Sequence, residues 1–214
     1  MSIRAIVFDF GNVVGFFDHR RTTERLAPHA GIPAEAIHAY LFGGELEDEY
    51  ESGRLSTAAF LSRIRDYCRL GCPDEFIATA WGDIFWPNAA VSELLPLLRP
   101  NYRLLLGSNT NELHARHFCS QFAEVFRNFD ALVLSHEVGA RKPRAEFFDH
   151  CRRLAGCVAA DCLFIDDLPA NVAGARACGF QGLVYRKDTD LAAQLTALGI
   201  RGLENRAGAT KKEV

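Results

Sequence analysis

The feature that most constrains this chain is the run over residues 3–8, IRAIVF, almost continuously apolar and stopped by Asp9. Apolar runs without polar alternation fit strands buried on both faces, as in parallel sheets. Four more such runs follow, over 103–106, 131–134, 162–165 and 182–185. Between them lie segments with helical spacing, at 91–98, 112–122, 144–154 and 171–178. Gly179 stands where the last of these should stop, and Pro96 should kink or split the first. Strands alternating with helices predict an α/β fold, a doubly wound Rossmann-like parallel sheet with right-handed crossovers.

One connection is too long for this scheme. About 90 residues separate the first strand from the second, against the 10–12 or so a crossover needs. The stretch has helical patterns of its own, at 20–30, 34–40, 57–70 and 74–81, and no strand signal. Ser56 fits an N-cap, and Pro33 and Pro73 fit helix starts. The expected organisation is a core of 1–15 and 89–201, an all-helical cap over 16–88 with hinges near Gly15 and Pro87, and a flexible polar tail over 202–214. With 214 residues, 49% of them hydrophobic, the chain can bury a real core, which excludes disorder. A net charge of −3 gives a nucleic-acid surface no support. No apolar run approaches the roughly 18 residues of a membrane helix, and the N-terminal run is too short for a signal peptide. The seven cysteines have no disulfide or zinc spacing, so free thiols in a reducing cytoplasm are expected. The sequence carries no signal of oligomeric state.

In open α/β sheets ligands bind beyond the carboxyl ends of the strands. The first predicted strand is followed there by Asp9, Gly11 and Asn12, and the second by Ser108 and Asn109. The third leads to Arg141-Lys142-Pro143, and the fourth to Asp166, Asp167 and Asn171. Three carboxylates suit a hard divalent cation, and a lysine with a serine suits an anion. Taken singly, each has a plainer explanation. Asp9 fits a turn, Ser108 an N-cap, Lys142 an exposed loop, and Asp166-Asp167 a cap for the helix near Pro169.

The set FDFGNVV (8–14), LGSNTN (106–111), RKP (141–143) and FIDDLPAN (164–171) resembles the haloacid dehalogenase superfamily, in its phosphatase branch with a helical cap. Within that branch it is similar to the bacterial α-D-glucose-1-phosphate phosphatases and, more distantly, to the phosphatase domain of soluble epoxide hydrolase. YESGRLSTAAF (50–60) matches the cap pattern of the same group. The resemblance implies a Mg²⁺-dependent phosphomonoesterase acting on a small phosphorylated metabolite, with a sugar phosphate as one candidate. Asp9 is then the nucleophile and becomes an aspartyl-phosphate. Ser108, the Asn109 amide, Lys142 and the Gly11 amide bind the phosphoryl oxygens. Asp9, the Gly11 carbonyl and Asp167 hold the metal, with Asp166 at or behind it.

One departure matters. Most phosphatases of this superfamily carry an acid two residues after the nucleophile, which protonates the leaving group. Here that position is Gly11. The flap residues Asp18 and His19 are candidate substitutes. Two alternatives stay open: a metal-independent 2-haloacid dehalogenase, whose nucleophile also lacks that acid, and a degenerate phosphate-binding regulatory protein. His114 and His117 share a helix face without a third ligand, which fits structural histidines better than a metal site. The acidic run 45–51 fits a solvated cap face. Phe16, Phe17, Trp81, Phe85 and Trp86 fit packing at the cap junctions, with a lesser chance that one lines the substrate pocket.

Overall fold

Ala5–Phe8 alternates its side chains between two apolar layers, and none of the four residues is exposed. Ile6 and Phe8 enter one layer with Leu104, Leu106, Leu163 and Ile165. Ala5 and Val7 enter the other with Leu105, Cys162 and Phe164. A strand with period two can be apolar throughout only when both faces are covered. The computed structural model describes residues 2–203. The tail expected over 202–214 therefore lies, from 204 on, outside the described residues.

In chain order the strands are β1 (Ala5–Phe8), β2 (Gly15–Phe17), β3 (Phe85–Pro87), β4 (Arg103–Ser108), β5 (Ala131–Leu134), β6 (Cys162–Asp166) and β7 (Gln181–Val184). Five form one sheet in the order β5-β4-β1-β6-β7, and every pairing is parallel. β1 is central, so its carboxyl end sits between those of β4 and β6.

The helices of the first half are α1 (Arg20–Leu26), α2 (Ala34–Leu41), α3 (Glu45–Glu51), α4 (Thr57–Cys68) and α5 (Asp74–Gly82). The remainder are α6 (Ala89–Ser92), α7 (Leu95–Leu98), α8 (Glu112–Gln121), α9 (Ala123–Phe126), α10 (Ser135–Val138), α11 (Ala145–Ala155), α12 (Pro169–Ala177) and α13 (Leu191–Ala197). The segment 91–98 is split as Pro96 dictates, which starts α7 afresh at its second position. The segment 20–30 stops as an α-helix at Leu26 and ends in a 3₁₀ turn with Pro28 near its start. Ser56 caps α4 by accepting from the Ala59 amide.

Two expectations need correction. The stretch 16–88 is not free of strands, because β2 and β3 pair antiparallel, with Phe16 opposite Trp86 and Phe17 opposite Phe85. Three-residue strands are too short to show a period, and only the aromatic pairing marks them. The acidic run 45–51 is a helix whose Leu46, Tyr50 and Glu51 are buried. The short helices α10 and α13 carry no periodic pattern long enough to read.

The helices between β2 and β3 share an apolar cluster of their own, built on Leu26, Ile37, Phe60, Ile64, Ile77 and Trp81. From α8, Leu113 joins it. Gly174 in α12 shows how tightly the layers close. A Cβ there would lie 2.7 Å from Pro143 Cβ and 2.8 Å from its carbonyl oxygen. Gly→Ala inside a helix ordinarily stabilises by about 1 kcal/mol, whereas overpacking costs about 1–3 kcal/mol. Gly174→Ala is therefore expected to lower stability by about 1 kcal/mol or more, measured by urea unfolding; a gain would show that the helices can separate at no cost.

Candidate active site

Asp9 follows β1 directly, and its amide donates to the Ile165 carbonyl at 2.8 Å, which holds it in the sheet. The chain then turns sharply. The Asn12 amide donates to Gly15 O, the Gly15 amide donates to Phe10 O, and Asn12 takes a left-handed φ of 56°. The Phe10 ring anchors this turn among Phe118, Phe85, Phe122 and Phe126, with centroids 4.3, 5.3, 5.1 and 5.8 Å away. A Cβ at Gly15 would approach that ring to 2.9 Å, so glycine is needed there.

Lys142 gathers the strand ends. Its ammonium donates to Asp9 Oδ1 at 2.6 Å, Asp166 Oδ2 at 2.8 Å and Gly107 O at 2.9 Å. All three N–H donors are used. The Asn109 side chain clasps the Lys142 peptide, accepting from its amide at 2.8 Å and donating to its carbonyl at 3.1 Å. This differs from the expected part for Asn109, which invoked only its backbone. Asp166 is fully enclosed and accepts from the Leu168 amide at 2.9 Å and from Asn171 Nδ2 at 3.1 Å. Asp167 is half-buried, and its Oδ2 accepts from Asn12 Nδ2 at 3.0 Å. Ser108 is buried, and the helix after it is capped by Asn111 instead.

Asp9, Asp166 and Asp167 each bring a carboxylate oxygen within 4.8 Å of the others. Burial raises the Asp9 carboxyl above its ordinary range; Lys142 opposes the rise, and Asp166 and Asp167 add to it. Burial alone would lower the Lys142 ammonium, but Asp9 and Asp166 outweigh it and hold it above its ordinary value. Three carboxylates against one ammonium leave surplus negative charge. Such a set of hard oxygen donors fits a divalent cation of the Mg²⁺ type.

A cavity of about 250 Å³ opens onto this cluster. Asp9, Gly11, Ser108, Asn109, Lys142 and Asp167 line it, and Asp166 lies behind. Its farther lining includes Phe17, His19, Ile84, Phe85, Glu51 and Arg141. Phe17 and Phe85 are thus cavity lining as well as junction packing. A Cβ at Gly11 would stand 3.0 Å from the Phe17 ring, so the space where an acid is usual holds an aromatic edge.

Of the two candidate substitutes for that acid, Asp18 does not reach the cavity, whereas His19 does. Asp18 is outside the cavity lining, bound to Arg20 through both oxygens, and those hydrogen bonds hold its carboxyl down at about 2. His19 lines the cavity, stacked 3.9 Å from Phe42, and burial pushes it down to about 4. His114 uses both ring nitrogens inside the fold, with Nε2 donating to Trp81 O at 3.1 Å and Nδ1 accepting from Asn111 at 3.0 Å. Sequence reasoning missed Glu51, whose acidic neighbours read as a solvated face. Burial pushes it up to about 7, and Arg141 opposes the rise.

A family model for haloacid dehalogenase-like hydrolases matches residues 3–179. The chain belongs to the haloacid dehalogenase-like hydrolase family. Among relatives of this hydrolase, a D-ribitol-5-phosphate phosphatase from Bacteroides thetaiotaomicron is 26% identical, over 92% of this chain and 98% of its own. A sesquiterpene phosphatase from Aspergillus oryzae is 40% identical, over 85% and 89%. Among solved structures, a HAD family enzyme from Bacteroides thetaiotaomicron in its magnesium complex superposes with a TM-score of 0.80 at 25% identity, covering 91% of this hydrolase and 99% of that chain.

Burial pushes His114 down to about 3, so the folded hydrolase keeps it neutral while the unfolded chain protonates it near 6.5. That stabilising preference is complete above the unfolded value and is lost as pH falls below it. From pH 7 to 5 the wild type is expected to lose about 2 kcal/mol relative to His114→Gln. Urea unfolding at both pH values measures it; parallel behaviour of the two proteins would mean that His114 is protonated when folded.

Proposed function

We propose that this hydrolase is a Mg²⁺-dependent phosphomonoesterase that turns over a small phosphorylated metabolite, a sugar phosphate or a close chemical relative, through an aspartyl-phosphate on Asp9. The observation that carries the reading is the Lys142 ammonium, 2.6 Å from Asp9 and 2.8 Å from Asp166, beside a cluster of three carboxylates that opens onto a cavity. A carboxylate approaching a phosphate dianion is repelled, so the site must supply positive charge where charge accumulates.

Lys142 and Phe10 N–H both donate to Asp9 Oδ1, at 2.6 and 2.7 Å. The opposite oxygen, Oδ2, attacks phosphorus in line with the ester oxygen. The phosphorus–oxygen ester bond breaks as the acyl-phosphate bond forms. Ser108 and the Asn109 and Gly11 amides take the equatorial oxygens, and Lys142 neutralises part of their charge. Gly11 carries no acid, so the departing oxygen takes its proton from water in the cavity. A second water then attacks the phosphoryl group, which frees Asp9 and inorganic phosphate. Mg²⁺, held by Asp9, Asp167 and the Gly11 carbonyl, supplies charge that offsets the repulsion between carboxylate and phosphate. Both Asp166 oxygens already accept hydrogen bonds, which suits a part in orienting Lys142, and Asp167 faces the cavity with the freer carboxylate. The helices between β2 and β3 act as the cap, which excludes water and chooses the substrate. The absence of any described helix long and apolar enough to cross a membrane, and seven free thiols, suit a cytoplasmic protein.

Hydrolysis of p-nitrophenyl phosphate tests the proposal. Turnover is expected with Mg²⁺, to vanish with EDTA, and to fall at least about 1000-fold in Asp9→Asn, because the nucleophile is lost. Metal-independent halide release from 2-chloropropionate, without phosphate release, would instead identify a dehalogenase. Tight phosphate binding without turnover would identify a degenerate binding protein.

A further inference from the structure

In-line displacement at phosphorus has two ends. Asp9 stands at one, and the other receives first the departing ester oxygen and then the water that hydrolyses the aspartyl-phosphate. That second end faces the farther lining of the cavity, whose titratable side chains are His19, Glu47, Glu51, His114 and Arg141. His114 spends both ring nitrogens inside the fold. Glu51 and Arg141 are ion-paired at 2.8 Å. Glu47 accepts from the Gly43 amide at 2.8 Å through one oxygen. His19 makes no side-chain hydrogen bond among the described residues, and it is half-buried, so its nitrogens are not sealed off from the cavity.

The ring is held firmly all the same. It is the last of four stacked in a row, with His19 3.9 Å from Phe42, Phe42 5.2 Å from Trp81 and Trp81 4.7 Å from His114, at interplanar angles of 8°, 3° and 4°. Trp81 is buried, so the row is anchored in the interior and fixes the plane of the His19 ring where it meets the cavity. Phe17 packs on it as well, with centroids 4.8 Å apart. A ring clamped by its faces presents its nitrogens at its edge. The same Phe17 ring fills the space that a side chain at Gly11 would take, so His19 stands one ring beyond the position where an acid is usual. Burial, with His38 adding to it and Asp18 opposing, pushes His19 down to about 4. The imidazole is therefore neutral at pH 7, with a free lone pair about as basic as an ordinary carboxylate.

We propose that His19 is the general base of the second half-reaction. Its unprotonated nitrogen takes a proton from the water that attacks the aspartyl-phosphate. The new phosphorus–oxygen bond forms as the bond to Asp9 breaks, which restores the Asp9 carboxylate. The imidazolium then releases its proton to water at the cavity mouth. This assignment rests on the phosphatase reading of the same cavity and gives a residue to the step there left to water.

Pre-steady-state hydrolysis of p-nitrophenyl phosphate with Mg²⁺ tests it, because that leaving group departs without a proton and isolates the second step. His19→Phe keeps a ring against Phe42 and removes both nitrogens. It is expected to release a burst of about one p-nitrophenolate per enzyme at close to the wild-type rate, then to turn over about 100-fold more slowly or worse, as loss of a general base does. Phosphoryl groups should accumulate on the acid-quenched variant, read by intact mass. His19→Gln, polar but not basic, is expected to show the same burst and serves if His19→Phe does not fold. Burst and steady-state rates that fall together would mean that the ring only packs the site, which overturns the proposal. Full turnover in both variants, or a burst confined to Glu47→Gln, overturns it too. Wild-type protein that releases no p-nitrophenolate removes the phosphatase reading and this base together. Wild-type turnover with no burst in either His19 variant removes the base alone.

Discussion

One ammonium group organises this protein. Lys142 reaches from the loop after β5 to Asp9 at the end of β1, Gly107 near the end of β4 and Asp166 at the end of β6. The ladder pairs the strands up to their carboxyl ends, with Phe8 opposite Leu106 and Ile165, but the side chains that project beyond it converge only through contacts of their own. A buried cation with three acceptors supplies them. Removing one member of such a group is strongly destabilising, on the order of 3–5 kcal/mol, because it strands the remaining charges. The arrangement therefore ties folding to the geometry of the rim. Asn109 reinforces it by clasping the Lys142 peptide from both sides, so the lysine's backbone is as fixed as its head.

The parallel sheet was legible because its signal is periodic and repeated. Five short apolar runs in alternation with helices leave few other folds, and polar residues soon after most of them mark the rim. Asp9, Ser108, Asp166 and Asp167 were legible because each stands within two residues of the end of such a run, whereas Lys142, eight residues beyond the third run, was legible only through the resemblance of its motif. The features that escaped were set by contacts between distant segments. The strands β2 and β3 have three residues each and exist because Phe16 and Phe17 meet Trp86 and Phe85. Glu51 sits in a run whose composition reads as solvated, and only the docking of α3 against α10 and Arg141 buries it. Asp18 looked like an acid near the site, but Arg20 two residues on claims both its oxygens. The clasp made by the Asn109 side chain had no sequence signal, since amide orientation depends on the path of the loop.

The cavity divides its chemistry between two sources. Its floor comes from the strand ends of the sheet and carries the charges that suit a phosphoryl group. Its farther lining draws on Phe17, Phe85 and Glu51, which belong to the ribbon and helices inserted between β1 and β4.

The ribbon of β2 and β3 has a consequence for how such a molecule can be rebuilt. The polypeptide leaves the sheet layer through Phe17 and returns through Phe85, and these residues are direct antiparallel partners. The two ends of everything between them are thus only about 5 Å apart. Two-residue turns close such gaps in ordinary hairpins. Protein engineers accordingly have a natural splice point, where one lid can be exchanged for another as a cassette while the strands beneath keep their order.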